Sequence, residues 1–171
     1  VGVLLLTGAG YGLWQYQMNR NAQSFRDRAD EAKAAGDIEA AANFLAQYLG
    51  FRPKDDEVRA ALADLYCDVA KQKLEEQRYM EVGGYLRAVE NTLYKLPNLD
   101  KLRRKLLDMY MLTGQTSEAQ DHVRILLGNS MSDPELLKFQ ALLLTQQSKE
   151  AEAVTMYEQL VGYDPKAKAF D

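Results

Sequence analysis

The chain has 171 residues, with 21 Lys or Arg against 25 Asp or Glu, one histidine, one cysteine and four prolines. A net charge of −4 and a pI near 5.2 argue against a nucleic-acid-binding surface. His122 alone excludes a multi-histidine metal site, Cys67 alone excludes an internal disulfide, and the dearth of strand-like alternation points to an all-α protein.

Every charged side chain lies after residue 19. Helical residues 1–18 would span roughly 27 Å at about 1.5 Å per residue, close to the ~30 Å hydrocarbon layer. Tyr11, Trp14 and Tyr16 gather toward one end of the stretch, and Arg20, Arg26 and Arg28 mark the exit into water. Residues 1–19 are therefore expected to form a single transmembrane anchor. A cleavable signal peptide fits less well, because apolar character continues past the small residues Gly8, Ala9, Gly10 and Gly12 to Trp14. A buried core helix is the third reading. Gly8 and Gly12 form a G-x-x-x-G pair, which lets two helices approach closely in lipid.

Beyond the anchor, features recur with a period of 34 residues. Counting from Ala22, Gly36 falls at position 15, Ala41 at 20, Leu45 at 24 and Pro53 at 32. Counting from Asp100, Leu107 is at 8, Tyr110 at 11, Gly114 at 15 and Ala119 at 20. Counting from Pro134, Ala141 is at 8, Leu144 at 11, Ala153 at 20, Tyr157 at 24 and Pro165 at 32. The pattern resembles the tetratricopeptide repeat (TPR), a pair of antiparallel helices. Small residues sit where the helices cross, a glycine sits in the turn, and a proline ends the second helix. The resemblance implies an α-solenoid of helix hairpins wound into a right-handed superhelix.

The units expected are 22–55, an enlarged 56–99, 100–133 and 134–167, with 168–171 opening a further repeat. Leu62, Ala63, Tyr66 and Pro97 anchor the enlarged unit, which at 44 residues exceeds the period by ten. Cys67, Ala70 and Leu74 recur at helical spacing, so the excess is expected to lengthen the first helix to about Arg78, with a turn near Gly83-Gly84. The helices are thus predicted near 22–35, 37–50, 56–78, 82–96, 100–113, 117–128, 134–147 and 150–162, with no sheet. Ala41, Ala119 and Ala153 are expected to be buried at helix crossings.

The order of apolar anchor, repeat, enlarged second unit and L-R-R-K-L-L-D-M-Y also resembles the large membrane-anchored TPR proteins of planctomycete-type bacteria. That resemblance implies a single-pass protein of the inner membrane with its repeats in the periplasm. Within the TPR family, first-helix positions 2, 5, 9 and 12 line a partner-binding groove. Carried over, these are Gln23, Arg26, Asp30 and Lys33; Glu57, Ala60, Asp64 and Cys67; Lys101, Arg104, Asp108 and Met111; and Glu135, Lys138, Leu142 and Thr145. Some family members clamp carboxylates with Lys and Asn, but Asp30 and Asp64 stand where such a clamp needs neutral Asn and would repel the ligand.

No phosphate loop, dinucleotide fingerprint, H-E-x-x-H or C-x-x-C occurs. His122 reads as a surface or half-buried side chain without a nucleophile to serve, and Cys67 as a small buried hydrophobe. The expectation is a non-catalytic, membrane-tethered scaffold with protein partners, no cofactor, no metal and no small-molecule substrate. The alternatives are a periplasmic chaperone or cofactor-assembly factor, and the anchor portion of a longer enzyme. Candidate partner-binding residues are Gly8 and Gly12 in the anchor, and Arg26, Lys101, Arg104 and Lys138 in the groove. Leu74, Tyr79 and Met80, with Val82, are expected at the tip of the enlarged hairpin, where they need either a fold-back onto the first repeat or a second protein.

Overall fold

The computed structural model describes the backbone of residues 2–129 and 133–163, and the side chains of residues 17–129 and 133–162. Among the described residues the structure is helical, without strands: α1 (Gly2–Ala34), α2 (Ile38–Phe51), α3 (Asp56–Glu75), α4 (Tyr79–Lys95), α5 (Asp100–Thr113), α6 (Thr116–Asn129), α7 (Pro134–Gln146) and α8 (Glu150–Tyr163). The chain divides into two compact units, Val1–Leu102 and Arg103–Asp171. In the first, α1 packs on α2, α2 on α3 and α3 on α4; in the second, α6 packs on α7 and α7 on α8.

One turn, used four times, makes the hairpins. A residue with positive φ follows each first helix: Gly36 (79°), Gln77 (61°), Gly114 (71°) and Ser148 (59°). The next amide then reaches back to a carbonyl of the last helical turn: Asp37 N to Ala32 O, Arg78 N to Lys73 O, Gln115 N to Tyr110 O and Lys149 N to Leu144 O, all at 2.8–3.0 Å. Five residues after the positive-φ position, Ala41, Val82, Ala119 and Ala153 are all buried. Asp37, Asp55 and Asp133 cap α2, α3 and α7 by accepting backbone amides of the first turn.

The turn of the enlarged hairpin lies at Gln77, not at Gly83-Gly84 as the sequence suggested, and α3 ends at Glu75 rather than Arg78. Glutamine takes the left-handed conformation that glycine takes in the first and third hairpins. Arg78 then locks the corner by donating to Glu81 at 2.6 Å and Glu76 at 3.2 Å. Gly83 and Gly84 lie inside α4 because Val82, Leu86, Val89 and Leu93 form one continuous buried face. Relative to the third repeat, α3 gains about two helical turns before the corner, which preserves its apolar face at ~3.6 residues per turn.

The core of the first unit gathers Ala22 and Ala29 of α1, Ala41, Leu45 and Tyr48 of α2, and Val58, Leu62, Leu65 and Val69 of α3. Phe25 stacks on Phe51 with ring centroids 5.6 Å apart, and Arg28 lies over the Phe44 ring at 4.2 Å. In the second unit Leu106, Leu107, Tyr110, Val123, Leu126, Leu136 and Leu143 are buried.

The expected anchor begins α1, which runs without a break from Gly2 to Ala34. Among the described residues no helix is long and apolar enough to cross a membrane. The side chains of residues 1–16 lie outside the described residues, and with them the expected Gly8/Gly12 contact face. The apolar run is dilute for a span: after Leu6 it contains Gly8, Gly10, Gly12, Gln15 and Gln17 and few aliphatic side chains.

Candidate functional site

The first unit contains a cleft of about 190 Å³ between α1 and α3. Its floor is apolar, made by Ala29, Leu45, Val58, Ala61 and Leu65, and its rim carries Arg26, Asp30, Lys33 and Glu57. Of the groove positions inferred from the repeat pattern, Arg26, Asp30, Lys33 and Glu57 line it, whereas Ala60, Asp64 and Cys67 do not. The α3 face turned to the cleft is Glu57, Ala61 and Leu65, spaced i, i+4, i+8. Cys67, about 200° round the helix from Leu65, is buried instead, as a small hydrophobe.

The rim is electrostatically loose. Arg26 reaches Glu57 only at 3.9 Å, and among the described residues Asp30 and Lys33 make no ion pair. The acid that could hold Arg26 more firmly is engaged elsewhere: the Tyr48 hydroxyl donates to Asp55 Oδ2 at 2.6 Å, while Asp55 Oδ1 accepts the Val58 amide at 3.1 Å. The Tyr48 hydrogen bond is the main cause holding the Asp55 carboxyl below the usual carboxylate range, aided by the Val58 amide and by the charges of Arg26 and Arg52. The same bond pushes the Tyr48 hydroxyl up.

The second unit ties its corresponding arginine down. Arg104 of α5 donates to Asp133, the cap of α7, and also lies 3.8 Å from Glu135. Burial alone would raise the Asp133 carboxyl, but the Arg104 hydrogen bond and the Leu136 and Glu135 amides outweigh it and the net displacement is downward. Asp108 is pushed up by burial first and then by Glu135, against the opposing charge of Arg104. Lys101 and Lys138 are exposed and make no ion pair among the described residues.

Two polar clusters have no single-residue signal in the sequence. Lys73, 2% exposed, sits on the added turns of α3 and donates to Glu39 of α2 at 2.5 Å, which raises its pKa; the Tyr85 hydroxyl donates to the same carboxylate at 3.4 Å. This anchors the enlarged hairpin on the first repeat. In the second unit His122 is buried rather than at the surface. It stacks on Tyr110 with centroids 5.6 Å apart, and its Nδ1 lies 3.1 Å from Nη1 of buried Arg103. Guanidinium can only donate, so Nδ1 is the acceptor and the imidazole proton belongs on Nε2.

At the corner of the enlarged hairpin, fold-back covers Val82 and most of Leu74 but leaves Tyr79 63% and Met80 97% exposed. No group of His, Cys, Asp and Glu suited to a metal ion occurs among the described residues.

No protein-family model matches the chain, and no curated protein matches it in sequence. Several solved structures share its fold. MamA (residues 41 to the end) from Desulfovibrio magneticus RS-1 superposes with a TM-score of 0.62 at 14% identity, over 85% of this chain and 76% of that one. MamA from AMB-1 gives 0.63 at 16% identity, over 86% and 75%. A tetratricopeptide repeat protein from Parabacteroides merdae gives 0.64 at 15% identity, over 86% and 55%. The fold is that of the tetratricopeptide repeat.

Proposed function

We propose that the chain is a non-catalytic interaction scaffold whose α1/α3 cleft receives a segment of a partner protein. One observation carries this reading: an apolar floor is ringed by Arg26, Asp30, Lys33 and Glu57, with only one ion pair, at 3.9 Å, among those four charges. An apolar anchor side chain would fill the floor while the rim charges orient the segment. Arg104, bound to Asp133, is a strut of the second unit; Lys101 and Lys138, each exposed on its own unit, remain candidates for partner contacts. The TPR fold of the solved relatives is compatible with this role.

The uncharged segment 1–18 would act as the tether that holds the scaffold at the inner membrane as a single-pass protein, with the repeats periplasmic, as an accessory subunit of a larger complex. Support comes from the charge partition of the sequence and from the unbroken helix joining that segment to the cleft. Protection of the repeats from protease added to spheroplasts would place them on the other side.

The test of the scaffold is a pull-down of the full chain from mild detergent, compared with the charge-reversed Asp30→Lys/Lys33→Glu variant. A stoichiometric protein partner that is lost in the variant, at unchanged melting temperature, supports the cleft. A partner retained by the variant, or a broad set of unfolded clients, overturns it.

A further inference from the structure

Helix α4 has a second, mixed face besides its buried apolar one. One side, Val82, Leu86, Val89 and Leu93, is buried. Away from it, Met80, Glu81, Gly84, Arg87 and Ala88 border an open groove of about 480 Å³, closed on its far wall by Tyr66 of α3 and by Tyr85. We propose that this groove docks a peptide segment of a partner protein in which a carboxylate stands beside an apolar anchor residue. The site lies apart from the α1/α3 cleft and does not depend on the cleft reading.

The aromatic wall is held in place before any partner arrives. The Tyr66 and Tyr85 rings lie with centroids 5.4 Å apart, and the Tyr85 hydroxyl is held by Glu39, which Lys73 fixes from below. Fixing the wall in advance lowers the ordering cost of binding. Met80 projects almost wholly into water, and its flexible thioether suits an aliphatic or aromatic insertion between it and the tyrosines. At Gly84 a Cβ would meet nothing within 4 Å, so the groove is open at its middle and can take an inserted side chain.

The polar groups select the charge of the occupant. Glu81 is neutralised by a two-point contact with Arg78, at 2.6 and 2.9 Å. Arg87 uses only Nε, on the Gly83 carbonyl at 3.3 Å, and makes no ion pair among the described residues. The Tyr66 hydroxyl makes no hydrogen bond among the described residues, and burial raises it, so it stays a neutral donor. A groove whose acid is satisfied and whose arginine and phenol still have hydrogens to give is complementary to a carboxylate.

Fluorescence anisotropy of the full chain tests this with a labelled Glu-Asp-Leu-Phe-Glu-Glu peptide and its Gln/Asn twin. Arg87→Glu should weaken the acidic peptide about tenfold or more, the effect of one charge-assisted hydrogen bond. Gly84→Leu should abolish binding by filling the groove, while melting is held or raised because leucine is the better helix former. The Gln/Asn twin should bind about tenfold more weakly than the acidic peptide. Unchanged binding by both variants, or no binding up to about 1 mM peptide, overturns the proposal. So does a concentration-dependent dimer that both variants dissolve, since a second copy would then be the occupant. Loss of binding in Lys33→Glu alone would assign the peptide to the α1/α3 cleft and equally overturn it.

Discussion

Arg26 and Arg104 occupy the same position in the first and third repeats, and each faces the same pair of acids. One acid caps the following helix, Asp55 or Asp133; the second stands two residues on, Glu57 or Glu135. In the second unit Arg104 bonds the capping acid directly and takes the other at 3.8 Å. In the first unit the capping acid belongs to the Tyr48 hydroxyl, and Arg26 keeps only a 3.9 Å approach to Glu57. The repeat position of Tyr48 is filled in the second unit by Leu126, buried and without a hydroxyl. A single phenolic oxygen thus decides whether this arginine is a strut between helices or a cation at the edge of an open cleft.

Both units keep one repeat register, and the harshest test strikes there. Ala119 has no exposed surface, so Ala119→Leu should overpack the helix crossing and cost about 1–3 kcal/mol in chemical denaturation. A silent substitution would break the register and the comparison with it. Arg104→Ala comes next, at about 1–2 kcal/mol: it removes a charge-assisted bond to a partly covered carboxylate, a value lowered here for partial exposure. The corresponding Arg26→Ala should cost less than about 0.5 kcal/mol, as an exposed ion pair does. Equal costs for the two arginines would mean that Arg26 is a strut as well.

Tyr48→Phe sharpens the contrast at about 1 kcal/mol, the value of one hydrogen bond. The Asp55 carboxyl is lower in the folded protein than in the unfolded chain. Its contribution is therefore fully present above the ordinary aspartate value of ~3.9 and lost as pH falls through the lower folded value. Removing the phenol weakens the largest cause of that lowering, so the stability difference between wild type and Tyr48→Phe should shrink below about pH 4. A difference that stays constant down the acid limb would show that the hydroxyl acts by packing alone. The smallest expected effect is that of Glu57→Gln, within about 0.5 kcal/mol; a larger loss would show that the 3.9 Å approach tightens in solution.

Helix periodicity, the small residues at crossings and the glycine corners are local signals, and over the predicted ranges they placed the helix ends to within about three residues. The largest misses flank the second corner: the end of α3 and the start of α4 were each set three residues late. The same signals failed at the second hairpin for a local reason: Gln77 carries no mark of a left-handed corner, and Gly83-Gly84 looks like one. The corner was settled by the burial of Val82, Leu86, Val89 and Leu93, which keeps both glycines helical. The candidate site was legible as a list of charges, but not as a set of pairs. His122 with Arg103, and Tyr48 rather than Arg26 with Asp55, join side chains that no periodicity relates, and Lys73 with Glu39, though one repeat period apart, belong to helices that only the fold brings together. Only packing brings such groups within hydrogen-bond reach, and only burial makes one partner win over another. The sequence by itself determined the repeat, its helices and the charges they display. Tertiary structure decided which charges are spent on the fold and which remain for a partner, because a hydrogen bond is decided by distances and desolvation that exist only after the helices have met.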